Sequence, residues 1–150
     1  MRVVIQRVSK ASVSVENKVI GSCGHGLLIL VGVEEADTQE DITWLSQKTA
    51  NLRIFNDDDG KMNLSIKDVN GEMLVISQFT LHASTKKGNR PSYILAAAPE
   101  KALPMYKDFV NALQVETGKP IATGEFGAHM EVSLVNDGPV TITIDSKNKQ

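Results

Sequence analysis

Met73-Leu74-Val75-Ile76 is a continuous apolar run, and a strand that does not alternate reads as one buried on both faces. Leu27-Leu28-Ile29-Leu30-Val31 is a second run of the same kind. The first run changes character within one step. Ser77, Gln78 and Thr80 bring a hydroxyl, an amide and a second hydroxyl to its end, with Phe79 and Leu81 interleaved. Buried polar groups left unpaired cost about 1–3 kcal/mol each. Such a strand end either satisfies them internally or uses them on a ligand. Emergence into solvent would explain the polarity but not the apolar residues between.

The rest of the chain supplies a sheet for that strand. Residues 2–8 are rich in Val and Ile and form a strand by composition. Val13 and Val15 alternate with Ser12, Ser14 and Glu16, and Asn17-Lys18 turns into Val19-Ile20, a hairpin with one wet face. Gly21, Gly24 and Gly26 precede a strand, not a helix, and so lack the context of a phosphate cradle. Thr38 or Asp37 caps a helix with Glu40 and Asp41 in its first turn. Ile42, Leu45, Thr49 and Leu52 share one face of it, with Trp44 at the margin. Asp59-Gly60 and Asn70-Gly71 are hairpin signals that predict three antiparallel strands, 52–57, 61–69 and 72–80. A second helix starts at Pro99, aligns Ala102, Tyr106, Val110 and Leu113, and stops at Gly118; Pro104 should kink it or move its start. Finally Met130, Val132 and Leu134, then Val140, Ile142 and Ile144, alternate on either side of Asn136-Asp137-Gly138-Pro139, as in a terminal hairpin.

These elements predict a single α+β domain over residues 1–150, with a mostly antiparallel, barrel-like sheet core and two helices. One cysteine, Cys23, permits no internal disulfide and suits a reducing compartment. The N-terminal sequence runs straight into a strand pattern and no apolar run is long enough to span a bilayer, so a cytoplasmic location without membrane attachment is expected. With a net charge of −2, a nucleic-acid partner would have to be met by a local patch. Lys86, Lys87 and Arg90, in a loop with Gly88 and Pro91, form the best such patch, although charge runs are commonly solvated surface.

The chemistry is narrowed mainly by exclusion. His25, His82 and His129 are far apart, and no His-x-x-x-His or Cys-x-x-Cys spacing exists, so neither a metal nor a cofactor is expected. Ser77 and Thr80 are candidate nucleophiles, with His82 on the same face as Thr80 if the strand continues, but no Gly-x-Ser-x-Gly elbow or orienting acid accompanies them. Cys23 has only His25 nearby in sequence to activate it. At Gly138-Pro139, ordinary turn chemistry competes with a second reading: two backbone carbonyls, unobstructed by a side chain on Gly138, that suit an ammonium group.

Ser77-Gln78-Phe79-Thr80-Leu81 together with Asn136-Asp137-Gly138-Pro139-Val140-Thr141 resembles the signature pair of D-aminoacyl-tRNA deacylases. Met1–Val8 and Gly124–Met130 are similar to that family as well, and the likeness runs over essentially the whole chain without a departure at the motif positions. The resemblance implies a homodimer that hydrolyses the ester between a D-amino acid, or glycine, and the terminal adenosine of tRNA. It implies a cis Gly138-Pro139 peptide inserted into the partner's pocket, its carbonyls holding the substrate ammonium so that an L side chain meets the protein wall. Arg7 would brace that loop, Phe126 and Met130 would wall the pocket, and Ala102 would lie near the adenosine. An aminoacyl ester is already activated, so the enzyme needs mainly to orient it and stabilise an oxyanion, for which the N–H groups of Phe79 and Thr80 are candidates beside the Ser77 hydroxyl and the Gln78 amide. Two other classes compete: a non-catalytic binder of RNA or of the tRNA end, and a dimerisation domain whose Gly-Pro segment is an interface clasp.

Overall fold

A computed structural model describes residues Met1–Gln150. Its spine is β1 (Arg2–Val15), a strand long enough to serve several partners. One edge pairs antiparallel with β2 (Lys18–Cys23) beyond Ala11 and with β3 (Gly26–Gly32) along Arg2–Val8. The β1–β2 turn is Glu16-Asn17, both at positive φ (51° and 63°), as a two-residue hairpin with the right twist requires. The predicted turn is therefore displaced by one residue.

After β3 the chain forms α1 (Gln39–Asn51), then a small hairpin of β4 (Phe55–Asn56) and β5 (Met62–Leu64), and enters β6 (Glu72–Ser77). Here the three-stranded meander fails. β6 runs parallel to β3, and the short β7 (Ala122–Thr123) runs parallel to β6. Residues 65–71 do not extend, because the Asp68 carboxylate accepts the Ser65 N–H (2.8 Å) and hydroxyl (3.0 Å) and closes a local turn. Parallel pairing needs a crossover, which α1 supplies, and it suits a strand apolar on both faces. The core is therefore α+β with a mixed sheet, antiparallel around β1 and parallel through its middle.

The expected terminal hairpin is likewise a single strand, β8 (Glu131–Asp145), lying along the other edge of β1. Both apolar alternations pair with β1 in the same direction: Val13 opposes Val132, and Ile5 opposes Ile142. The register shifts between them, so the Asp137–Val140 segment leaves the ladder as a bulge. Fourteen residues of β1 offered both halves a partner, which removed the need to fold back.

The sheet order is β2-β1-β3-β6-β7, and its ends approach each other: a Cβ placed on Gly21 of β2 would lie 2.4 Å from the Thr123 carbonyl oxygen of β7. Successive residues of β3 and β6 point to different cores. Leu27, Ile29, Met73 and Val75 join the helices, whereas Leu28, Leu74 and Ile76 meet Val8, Ala11 and Val13 inside the curved sheet. Each fully buried aliphatic side chain contributes about 1.5–3 kcal/mol. α1 follows Thr38, whose N–H is accepted by Asp41 at 2.8 Å, and buries Ile42, Leu45 and Thr49. α2 (Pro99–Thr117) buries Ala102, Tyr106, Phe109, Val110 and Leu113 and ends where the Gly118 N–H reaches the Gln114 carbonyl. Pro104 neither breaks this helix nor shifts its start; it is exposed, as is Glu100, whose carbonyl it leaves without a donor, so water can replace the lost bond. No helix is long and apolar enough to cross a membrane.

Candidate active site

β6 stops abruptly. The Gln78 N–H donates to Val31 at 2.7 Å, and the chain then coils into a 3-10 turn, Phe79–His82. The Leu81 N–H bonds back to the Gln78 carbonyl (3.3 Å), so the Phe79 and Thr80 N–H groups sit ahead of the first bond inside the turn. Ser77, Gln78 and Phe79 form one side of a mostly apolar cleft of about 580 Å³. Ala102 and Tyr106 of α2 line it, as do Phe126, His129 and Met130. Phe79 stands at the mouth, 57% exposed, with its ring edge-on to Tyr93 at 5.1 Å.

Tyr106 fixes the floor. Its hydroxyl donates to the Val75 carbonyl at 2.8 Å, and burial pushes its pKa up to about 12, so it remains a donor. Its ring packs 5.9 Å from Phe126. The Thr80 hydroxyl accepts from the Gln78 amide at 2.5 Å. No imidazole or carboxylate is bonded to the Thr80 or Ser77 hydroxyl, so neither has a base. His82 does not fill that role: the strand does not continue to it, and it is fully buried with both ring nitrogens unpartnered. Cys23 is also unsuited, because burial and then the Glu72 carboxylate push its thiol up to about 11.

The other motif lies elsewhere in the chain. Gly138 and Pro139 are exposed, joined by a cis peptide, and absent from the cleft lining. Arg7 is buried beneath them. Its Nε donates to the Asp137 carbonyl (3.0 Å), and its Nη1 donates to the Ile54 carbonyl (2.8 Å) and Asn56 Oδ1 (3.2 Å). Asn136 spans the bulge, donating to the carbonyls of Arg7 (2.9 Å) and Val140 (3.0 Å). Lys86, Lys87 and Arg90 occupy a third place, an exposed excursion pinned at its base by the Ser84–Ser92 pair.

The sequence-predicted residues thus fall into three groups. Ser77, Gln78, Phe79, Phe126, Met130 and Ala102 share the cleft, with Thr80 just behind it; Arg7, Gly138 and Pro139 form a separate projection; the basic loop is a third. Tyr93, Tyr106 and His129 were missed. Tyr106 looked like helix core, and core-like spacing gives no sign that one residue also faces a cavity.

A family model described as D-Tyr-tRNA(Tyr) deacylase matches residues 4–145. A D-aminoacyl-tRNA deacylase of Flavobacterium psychrophilum is 63% identical over 150 residues, covering 100% of both chains. One from Bacteroides thetaiotaomicron is 62% identical over the same span. Among solved structures, a c-Myc DNA unwinding element binding protein superposes with TM-score 0.91 at 39% identity, over 97% of this chain and 98% of its own. A probable eukaryotic D-amino acid tRNA deacylase gives 0.82 at 17% identity, over 95% and 97%, a likeness of fold.

Proposed function

The chain belongs to the D-Tyr-tRNA(Tyr) deacylase family, and from that premise we propose that it hydrolyses the ester between a D-amino acid and the 3′-terminal adenosine of tRNA. The observation that carries this reading is the end of β6: an apolar cleft bordered by backbone donors and by hydroxyls that have no base. That arrangement suits a substrate that brings its own activation. The ester carbonyl is flanked by an α-ammonium and a ribose hydroxyl, which leaves the protein to orient it and to stabilise the tetrahedral oxyanion. The Phe79 and Thr80 N–H groups are the donors, and the Gln78 amide and Ser77 complete the socket. No covalent acyl-enzyme is needed; water adds to the carbonyl and the tRNA oxygen leaves.

Chirality is read by the Gly138 and Pro139 carbonyls of a second subunit, which hold the α-ammonium so that a D side chain points outward and an L side chain collides with the wall. Phe126 and Met130 form that wall, Ala102 lies beside the adenosine, and Arg7 holds the loop in shape. Glycine has no side chain to reject, so glycyl-tRNA is also a substrate. Lys86, Lys87 and Arg90 meet the tRNA phosphates.

The test is ester loss from D-Tyr-tRNA and L-Tyr-tRNA. Selective loss of the D form is expected, while protection of the ester without loss would identify a binder. Thr80→Ala removes the hydroxyl but keeps the N–H, and its rate should stay within about tenfold of the parent, since loss of an oxyanion donor itself costs roughly 10²–10³. Background activity in a folded Thr80→Ala protein would return the hydroxyl to the mechanism.

A further inference from the structure

The turn that closes the candidate site has a second side. Phe79 lines the first cleft, and Leu81, two residues on, lines a separate open cleft of about 780 Å³. The Leu81 carbonyl accepts from Arg2 Nη1 at 2.9 Å, and Arg2 also pairs with Asp145 at 2.8 Å. Facing them is Trp44 of α1, the one tryptophan in the chain, half-buried where three adjoining clefts meet.

The surroundings of that ring are cationic. Lys149 Nζ and Lys48 Nζ lie over the ring, 4.6 Å and 5.6 Å from its centroid, and Arg53 borders one of the adjoining clefts. The nearby carboxylates are largely occupied: Asp145 by Arg2, and Asp41 by Lys147 (2.9 Å) and the Ser146 hydroxyl (2.6 Å). Lys48 and Lys149 form no ion pair, and Arg53 donates to Asn63 instead of to a carboxylate. Glu40 remains as an unpaired acid at one rim. Two lysines without ion pairs therefore lie against a flat aromatic face, with Arg53 bordering the adjoining cleft, on a chain whose net charge is −2.

A stacking surface flanked by free cations is complementary to RNA, in which unpaired bases offer π faces between phosphates. We propose that the Trp44 cleft is a contact surface for the body of the tRNA substrate, in which a base takes the place of the ammonium groups over Trp44 and Lys48, Lys149 and Arg53 meet the phosphates. This rests on the reading of the chain as acting on aminoacyl-tRNA, and it adds a footprint separate from the Lys86–Arg90 loop. Through Arg2 and the Leu81 carbonyl, RNA held here abuts the same turn that supplies the Phe79 and Thr80 N–H groups.

Because Trp44 is the sole tryptophan, its emission reports on the surface directly. Titration with uncharged tRNA should quench it saturably, and the midpoint should weaken steeply with salt. A Lys48→Ala/Lys149→Ala protein, altered at two exposed side chains, should bind tRNA about tenfold more weakly, with a log–log salt slope lower by about 1–2. Its hydrolysis of a D-aminoacyl-adenosine, which lacks the RNA body, should match the parent. Unquenched emission, or unchanged tRNA affinity in the double variant, overturns the proposal. Equal loss on both substrates also overturns it, because the lysines would then support the catalytic cleft itself. A parent protein that quenches with tRNA but hydrolyses neither ester would instead refute the deacylase reading and leave this surface standing.

Discussion

Asp41 carries more of the local structure than any other carboxylate in this fold. It accepts the Thr38 N–H at the start of α1, the Ser146 hydroxyl just beyond β8 and the Lys147 ammonium, and so ties a helix N-terminus to the end of the last strand. Burial alone would raise its pKa, but the Ser146, Lys147 and Thr38 hydrogen bonds outweigh that and hold it well below the usual carboxylate range. A folded-state value depressed below the unfolded one stabilises the protein above the unfolded pKa, near 4, and the stabilisation is lost as pH falls through the folded value. Asp41→Asn should therefore be less stable at pH 7 by about 1–3 kcal/mol. The gap to the parent should narrow as pH drops below about 4. Urea midpoints of both proteins at neutral and acid pH test this, and a gap that ignores pH would mean Asp41 acts by packing alone. Arg7 uses the same kind of side chain-to-backbone tie at the Asp137–Val140 bulge, where the structure it fixes is exposed and projecting.

Among the elements, β6 determines how the rest is arranged, and its direction is the property that the sequence did not reveal. A continuous apolar run says that both faces are buried, but nothing in it distinguishes a parallel from an antiparallel neighbour. The helices were legible because their spacing, the Thr38 cap and Pro99 are local signals, and Ala102 of the cleft stands on one of them. Asn136-Asp137-Gly138-Pro139 misled for the opposite reason: it has turn chemistry in isolation, and only the length of β1 makes it a bulge. The site was legible at Ser77–Thr80 through its odd polarity, but Tyr106 was hidden in a helical core pattern. The parallel pairing leaves a measurable requirement at Gly26, which pairs with Glu72: a Cβ there would lie 1.8 Å from the Glu72 carbonyl oxygen. Backbone cannot yield as a flexible side chain does, so Gly26→Ala should cost at least about 3 kcal/mol or prevent folding. Chemical denaturation of the variant provides the number. A near-neutral result would mean that β3 and β6 approach less closely than this register requires.

At the scale of the whole molecule, the two motifs do not meet within one chain. The cleft holds Ser77, Gln78 and Phe79, whereas Gly138 and Pro139 project from the β8 bulge and do not line it. Phe79 of the cleft, and Ile94 and Leu95 between the cleft residues Tyr93 and Ala96, are 57%, 84% and 52% exposed, apolar surface of the kind that monomers seldom leave uncovered. A two-fold dimer would cover that surface and deliver each Gly-Pro projection to the other subunit's cleft, because an isologous interface presents the same patch twice. The proposed division of labour can be tested by complementation. Gly138→Val damages the projection and leaves the cleft intact; Gln78→Ala does the reverse. Each homodimer should be close to inactive on D-aminoacyl-tRNA. Co-expressed in equal amounts, the two chains should form mixed dimers in which one cleft is whole and faces an undamaged projection, so that about a quarter of all sites regain activity under random pairing. A mixed dimer of one unsubstituted chain and one carrying both substitutions should by contrast be inactive, because each of its two sites then contains one damaged part. Activity no higher than the sum of the two homodimers would mean that each chain builds its site from its own residues.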